Sequence, residues 1–229
     1  SAFEGTGLAD RLAALGCRRA WIGGLATDYC VRATALDAMA AALTGEPGFA
    51  LLDSFVDPAA VVRLRACADL RAIRGEFRPA AIGAAKVRRA EVRGDDTCWL
   101  SEPLFPAERA VLARLERLRL GLNERLLLGL FDVEAHYARY PPGSGYAAHV
   151  DQPEGSTARR LTFVLYMNPD WNAAAGGELR MYRDGRPVAD IEPRGGRLVC
   201  FLTEGTLHEV LPARRARWSL TGWFRCRDL

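Results

Sequence analysis

The chain has 229 residues, 49% hydrophobic and 26% charged, with a formal net charge of +3. That composition suits a soluble globular protein with a sizeable core, and no apolar run approaches the roughly 18–20 residues of a membrane helix. The charge is spread along the chain, with Lys86 as the only lysine, so the clustered basic face of a nucleic-acid binder is missing. The start, Ser1-Ala2-Phe3-Glu4-Gly5, lacks a Met and has no basic stretch followed by an apolar one, so a processed, cloned or truncated product without a secretory signal is expected. Cys17, Cys30, Cys67, Cys98, Cys200 and Cys226 form no CxxC pair and read as reduced thiols of a cytoplasmic protein.

In chain order, residues 1–44 read as helix, strand, helix. Leu8 to Leu15 is a short amphipathic helix ending at Gly16, and residues 20–23 are an apolar strand. Asp28 is an N-cap for a helix from Tyr29 to about Leu43. Gly45-Glu46-Pro47-Gly48 breaks the pattern and marks a boundary, with 45–48 as linker and 49–229 as the main domain. Phe49 to Leu52 is a strand, and Pro58 opens a helix to about Ile73. Residues 75–96 are irregular and Arg-rich. Pro106 begins a long helix with apolar positions at 111, 115, 118, 122 and 126. Strands then follow over 131–137, 161–167, 177–182, 187–191, 197–202 and 218–225, separated by turns such as Asp184-Gly185. Helices first and short strands after predict an α+β fold with a sandwich or jelly roll.

Three histidines limit any imidazole chemistry to His136, His149 and His208. His149 and Asp151 are spaced to point to one side of an extended strand, where they could share a metal. With His208 they supply two imidazoles and a carboxylate, the facial triad of non-heme Fe(II) oxygenases, although a zinc hydrolase can use the same ligands. Arg217 heads the apolar run to Phe224, and a guanidinium there needs an anion such as a dicarboxylate co-substrate. His136 alternates with Asp132 and Glu134 and is expected to be a solvated or hydrogen-bonded strand residue.

Residues 49–226 resemble the prolyl 4-hydroxylase-like 2-oxoglutarate/Fe(II) dioxygenases, in the branch of the hypoxia-inducible-factor prolyl hydroxylases and their bacterial relatives. The carrying segments are Arg93-Gly94-Asp95 with Trp99, Tyr140 through Pro153, Tyr166 through Trp171, Gly176 through Arg180, His208-Glu209-Val210 and Arg217 through Phe224. The resemblance implies a double-stranded β-helix with supporting helices, and Fe(II) held by His149, Asp151 and His208. It implies that Arg217 pairs with the 2-oxoglutarate C5 carboxylate, assisted by Tyr166 and Thr221, with Tyr140 beside its metal-bound end. On the substrate side it implies Arg159 paired with Asp95, and Tyr146 and Trp223 lining the mouth. The implied reaction hydroxylates a C–H bond with O₂, releasing succinate and CO₂, with ascorbate as a supporting reductant. The favoured substrate is a prolyl residue of a protein or peptide. The short stretch between Trp99 and Glu108, where animal relatives carry a longer loop, leaves a free amino acid or small molecule as the alternative.

Residues 1–38 resemble the nucleophile region of nicotinamidases in the isochorismatase-like family, through Ser1-Ala2-Phe3, Gly5-Thr6-Gly7-Leu8 and Gly24 through Ala38. The resemblance implies a Cys30 nucleophile, favoured as thiolate at a helix start. The Asp, Lys and metal ligands that such an amidohydrolase draws from earlier sequence are missing, as is its parallel sheet. Residues 1–44 are therefore expected to be a non-functional appendage, with Met39 a conceivable earlier start of the oxygenase.

Overall fold

The computed structural model describes residues 1–3, 5–17, 19–22, 30–81, 89, 91–151 and 157–227. The expected N-cap Asp28 lies outside them, as do Lys86, Gln152 and Pro153. The first helix, α1 (Leu8–Ala14), ends before Gly16, whose φ of 62° a glycine adopts without strain. It buries no residue. Residues 20–22 form no strand, which corrects the expectation there. Helix α2 (Arg32–Thr44) continues from a helical turn at Cys30 and Val31, the expected start at Tyr29 lying outside the described residues, and is followed by β1 (Phe49–Leu52).

Two further helices have their starts written in the sequence. In α3 (Pro58–Ile73) the Asp57 carboxylate accepts from the Ala60 amide at 2.7 Å, and proline occupies the first turn, where no amide donor is needed. Helix α4 (Pro106–Leu126) also opens on proline, and the Glu108 carboxylate accepts from the Phe105 amide at 2.8 Å. Between them lie two short strands the sequence did not announce, β2 (Arg78–Pro79) and β3 (Asp96–Trp99).

After α4 the chain is almost all strand: β4 (Asp132–Tyr140), β5 (Tyr146–His149), β6 (Arg159–Tyr166), β7 (Leu179–Arg183), β8 (Arg186–Ile191), β9 (Leu198–Leu202), β10 (His208–Val210) and β11 (Arg217–Arg225). Asp184 and Gly185, both at positive φ, make the tight turn between β7 and β8. The strands form a seven-stranded sheet in the order β1-β9-β6-β11-β4-β3-β2 and a four-stranded sheet in the order β5-β10-β7-β8. The pairings are antiparallel, and the two sheets make the jelly roll.

Period-two alternation sorts the large sheet's side chains. Tyr137, Leu161, Phe163, Leu165, Leu198, Cys200, Leu220 and Phe224 pack against Leu64, Leu115 and Leu122 of α3 and α4. Their neighbours Ala138, Tyr140, Val164, Tyr166, Val199 and Phe201 face Leu179, Met181 and Val210 of the small sheet. The first set closes the hydrophobic core. The second leaves room for polar groups between the sheets.

Helix α2 belongs to the first layer, although sequence grouped it with the N-terminal appendage. Leu36, Met39 and Leu43 are buried in the same core, and Leu36 lies so close to Gly121 of α4 that an added Cβ would come within 2.6 Å of it. Arg125 of α4 pairs with Asp37 at 2.5 Å. The turn at 45–48 therefore joins two packed elements.

Candidate metal centre

Sheet register brings His149 and His208 together. His149 ends β5, His208 begins β10, and the two are direct antiparallel partners. Asp151 follows two residues after His149. The His149 Nε2 lies 3.4 Å from Asp151 Oδ1, and the His208 Nε2 lies 3.7 Å from Oδ2. One donor atom from each of the three lies within 4.8 Å of the others.

The ring orientations are set by backbone carbonyls. The Nδ1–H of His149 donates to the Ala147 carbonyl at 2.8 Å, and that of His208 to the Thr206 carbonyl at 3.0 Å. A carbonyl only accepts, so each Nδ1 carries the proton and each Nε2 keeps its lone pair for the cluster. Burial lowers the His208 pKa, which favours the neutral, ligating form. Burial alone would raise the Asp151 carboxyl. The surroundings of His149, His208 and Thr162 outweigh it and hold the group well below the usual carboxylate range. Asp151 Oδ2 also accepts from Thr162 Oγ1 at 3.1 Å and from Trp223 Nε1 at 3.2 Å. Two imidazoles turned by their Nδ1 hydrogen bonds to present Nε2, with an ionised, hydrogen-bonded carboxylate, suit a divalent first-row metal with positions left open.

A pocket opens beside this cluster, lined by Tyr140, Val164, Leu179, Val210, Arg217 and Thr221 among others. Arg217 is 2% exposed and opens β11. Its Nε donates to the Gly177 carbonyl at 2.9 Å, and its guanidinium lies 5.2 Å from the Tyr140 ring and 5.0 Å from the Tyr166 ring. Among the described residues no carboxylate pairs with it. The Tyr166 hydroxyl beside it is buried and also lacks a hydrogen-bond partner. A buried guanidinium without a counter-ion is costly, so this end of the pocket fits a carboxylate from a bound molecule. Thr221 lines the same pocket, its hydroxyl 3.0 Å from that of Ser219.

On the opposite side the expectations need two corrections. Asp95 does not pair with Arg159. Its oxygens accept from Arg93 at 2.7 and 3.1 Å, because the two alternate on one short segment, while the Arg159 Nε of β6 donates to Glu134 of β4 at 2.8 Å across the intervening β11. His136 is not solvated. It is 2% exposed, packs against both Trp99 (centroids 4.8 Å apart) and Trp223 (5.5 Å), whose own rings lie 6.2 Å apart, and lines the pocket. Its strand is internal, between β3 and β11, so the polar-looking face is turned to the second sheet rather than to water. Tyr146 stacks on the His149 ring at 3.5 Å, and Trp223 lies beneath the Arg159 guanidinium at 3.5 Å. Sequence reasoning passed over Arg93 and Thr162. The signal for Thr162 was a hydroxyl on the inward register of an otherwise apolar strand. Cys30 is an exposed free thiol ahead of α2, with no partner among the described residues, and does not line this pocket.

Comparison with known proteins agrees with this geometry. The 2OG-Fe(II) oxygenase superfamily model matches residues 135–225, and the Isochorismatase domain model matches residues 1–43. Prolyl hydroxylase EGLN3 of Mus musculus is 36% identical over 150 residues, which are 61% of this chain and 62% of that protein, so the chain spans under two thirds of this relative. A Pseudomonas putida prolyl-4-hydroxylase crystal structure is 39% identical and superposes with a TM-score of 0.76 over 84% of this chain and 100% of its own. A Trichoplax adhaerens prolyl hydroxylase, solved with a hypoxia-inducible factor peptide fragment, is 25% identical with a TM-score of 0.78, over 88% of this chain and 94% of that one.

Proposed function

The chain belongs to the 2OG-Fe(II) oxygenase superfamily, and we propose that it hydroxylates a prolyl residue of a protein or peptide. The observation that carries this reading is the pairing of the His149–Asp151–His208 donor set with the buried, carboxylate-free Arg217 in one pocket. Fe(II) with 2-oxoglutarate and O₂ supplies the oxidant that turns a C–H bond into C–OH, releasing succinate and CO₂.

The chain's own work is placement. His149, Asp151 and His208 hold the metal on one side, which leaves the other side for co-substrate and O₂. Arg217 grips the far carboxylate of 2-oxoglutarate as a two-pronged donor, with the Tyr166 hydroxyl and Thr221 completing the grip, and Tyr140 lies beside the metal-proximal end. Val164, Leu179 and Val210 supply apolar walls that limit water. Trp223 and Tyr146 form the substrate mouth. We assign this chemistry to residues 49–229, with α2 as a packed support, and a reducing, cytoplasmic setting is supported by the six free cysteines.

The test begins with anaerobic addition of Fe(II) and 2-oxoglutarate, followed by O₂, ascorbate and a panel of proline-containing peptides. Succinate release coupled to a one-oxygen mass gain on proline is expected, and His149→Ala is expected to abolish both. Metal-independent turnover, or oxygen transfer only to free amino acids, overturns the reading.

A further inference from the structure

His136 is a polar group that the metal and co-substrate roles leave unused, and any role for it in substrate choice rests on the hydroxylase reading. It shares one face of β4 with Ala138 and Tyr140, and all three line the pocket. Trp99 and Trp223 form a three-ring cluster with it, at interplanar angles of 42° and 24° to the imidazole, which fixes its direction. Its Nδ1 is buried and has no hydrogen-bond partner. A buried nitrogen without a partner weakens a fold unless something else uses it.

The surroundings specify what that something is. Burial pushes the imidazole down to about 4, so near neutrality it is uncharged, with one N–H and one lone pair. The two guanidinium groups beside it are already satisfied, Arg93 by Asp95 and Arg159 by Glu134. Among the described residues this end of the pocket therefore presents aromatic faces, the neutral His136 nitrogen and the hydroxyl of its cross-strand partner Thr221, with its cations spoken for. A carboxylate finds no free counter-ion here, whereas an amide finds a matched partner. We propose that His136 is a specificity-determining residue, hydrogen-bonding through Nδ1 to a backbone amide of a peptide substrate while Trp99 and Trp223 hold the adjoining apolar ring. It follows that the enzyme prefers proline within a peptide to free proline.

The experiment compares wild type, His136→Leu and His136→Asn on a set of end-blocked proline-containing peptides and on free L-proline. His136→Leu is expected to raise the peptide KM by about tenfold, the worth of one neutral hydrogen bond. Its kcat, iron content and 2-oxoglutarate affinity are expected to stay within about twofold, and Asn, which can still hydrogen-bond, to recover most of the loss. An unchanged peptide KM in His136→Leu overturns the inference. So does joint loss of iron or 2-oxoglutarate binding, which would mark a structural role.

A second measurement separates this inference from the hydroxylase reading. With only three histidines in the chain, ¹⁵N-histidine labelling gives a readable NMR spectrum of the Zn(II)-substituted, 2-oxoglutarate-bound protein. N-acetyl-L-prolinamide is expected to shift the Nδ1 signal that disappears in His136→Asn. A shift supports the inference even if no peptide is hydroxylated. No shift, or a shift with free L-proline alone, overturns it even if turnover is normal.

Discussion

Arg217 shows how a single side chain can announce a missing partner. It is buried and fully charged, its Nε is spent on the Gly177 carbonyl, and two tyrosine rings wall the rest. Arg217→Ala is expected to cost about 2–5 kcal/mol of 2-oxoglutarate affinity, a rise of roughly 30-fold or more in its dissociation constant. Arg217→Lys is expected to recover only part, since an ammonium lacks the planar fork. Calorimetric titration of the metal-loaded protein checks both, and unaltered affinity would sink the assignment. Trp223 makes a subtler test, because its indole N–H donates to the ligating Asp151. Trp223→Phe keeps an aromatic ring and removes the donor, so metal affinity is expected to fall about 10–100-fold, read by competition with a chelator. The sequence could name Arg217 and the triad because a buried cation in an apolar strand and a His-x-Asp spacing are local signals. It misread His136 because the same alternation of polar residues describes a solvent face and a pocket face equally well. Only the second sheet distinguishes them.

At the scale of elements, the starts of α3 and α4 were legible to the residue, since proline and a capping carboxylate act within one turn. What joins these helices was not. Arg71 of α3 makes two hydrogen bonds to Glu108 of α4, at 2.7 and 2.8 Å, and Glu108 also accepts from the Tyr137 hydroxyl of β4 at 3.1 Å. The partners are 37 and 29 residues apart, and each alone looks like an ordinary surface residue. Strands β2 and β3 were missed for a related reason, as they are short and polar, β3 existing through pairing with β4 and β2 through pairing with β3. Glu108 is fully buried, so Glu108→Gln leaves Arg71 partly uncompensated and is expected to cost about 3–5 kcal/mol, measured by denaturant unfolding. Burial tends to raise the Glu108 carboxyl, but Arg71 and the Phe105 amide prevail and lower it below its ordinary value of 4.5. The ionised group's contribution is therefore complete above about pH 4.5 and is lost as pH falls through the lowered native value. The gap in stability between wild type and Glu108→Gln is expected to narrow on acidification below pH 4.5. A gap that stays constant there would show that the carboxylate charge is not what holds the helices.

For the molecule as a whole, family similarity and packing place the start of the oxygenase unit differently. Residues 1–43 match the Isochorismatase model, yet α2 within that stretch closes the hydrophobic layer over α4. Sequence did not show this: Leu36, Met39 and Leu43 share one face of α2, but alanines surround them and nothing local names the partner, which is set by the close fit at Gly121. By contrast α1 buries nothing, and the Ala2 amide reaches α2 only through the Thr34 hydroxyl at 3.0 Å. We therefore predict that two truncations behave differently. Removing residues 1–31 keeps every core residue of α2, and Tm is expected to change by no more than about 2 °C, as for loss of surface contacts. A chain starting at Met39 loses buried Leu36 and the Asp37–Arg125 pair. Leu36 alone is worth about 1.5–3 kcal/mol, so Tm is expected to fall by roughly 4–10 °C. Succinate production by the surviving folded fraction is expected to persist, since no pocket residue lies before Arg93. Equal melting of the two truncated chains would show instead that α2 is as dispensable as the segment before it, and that the oxygenase stands on residues 49–229 alone.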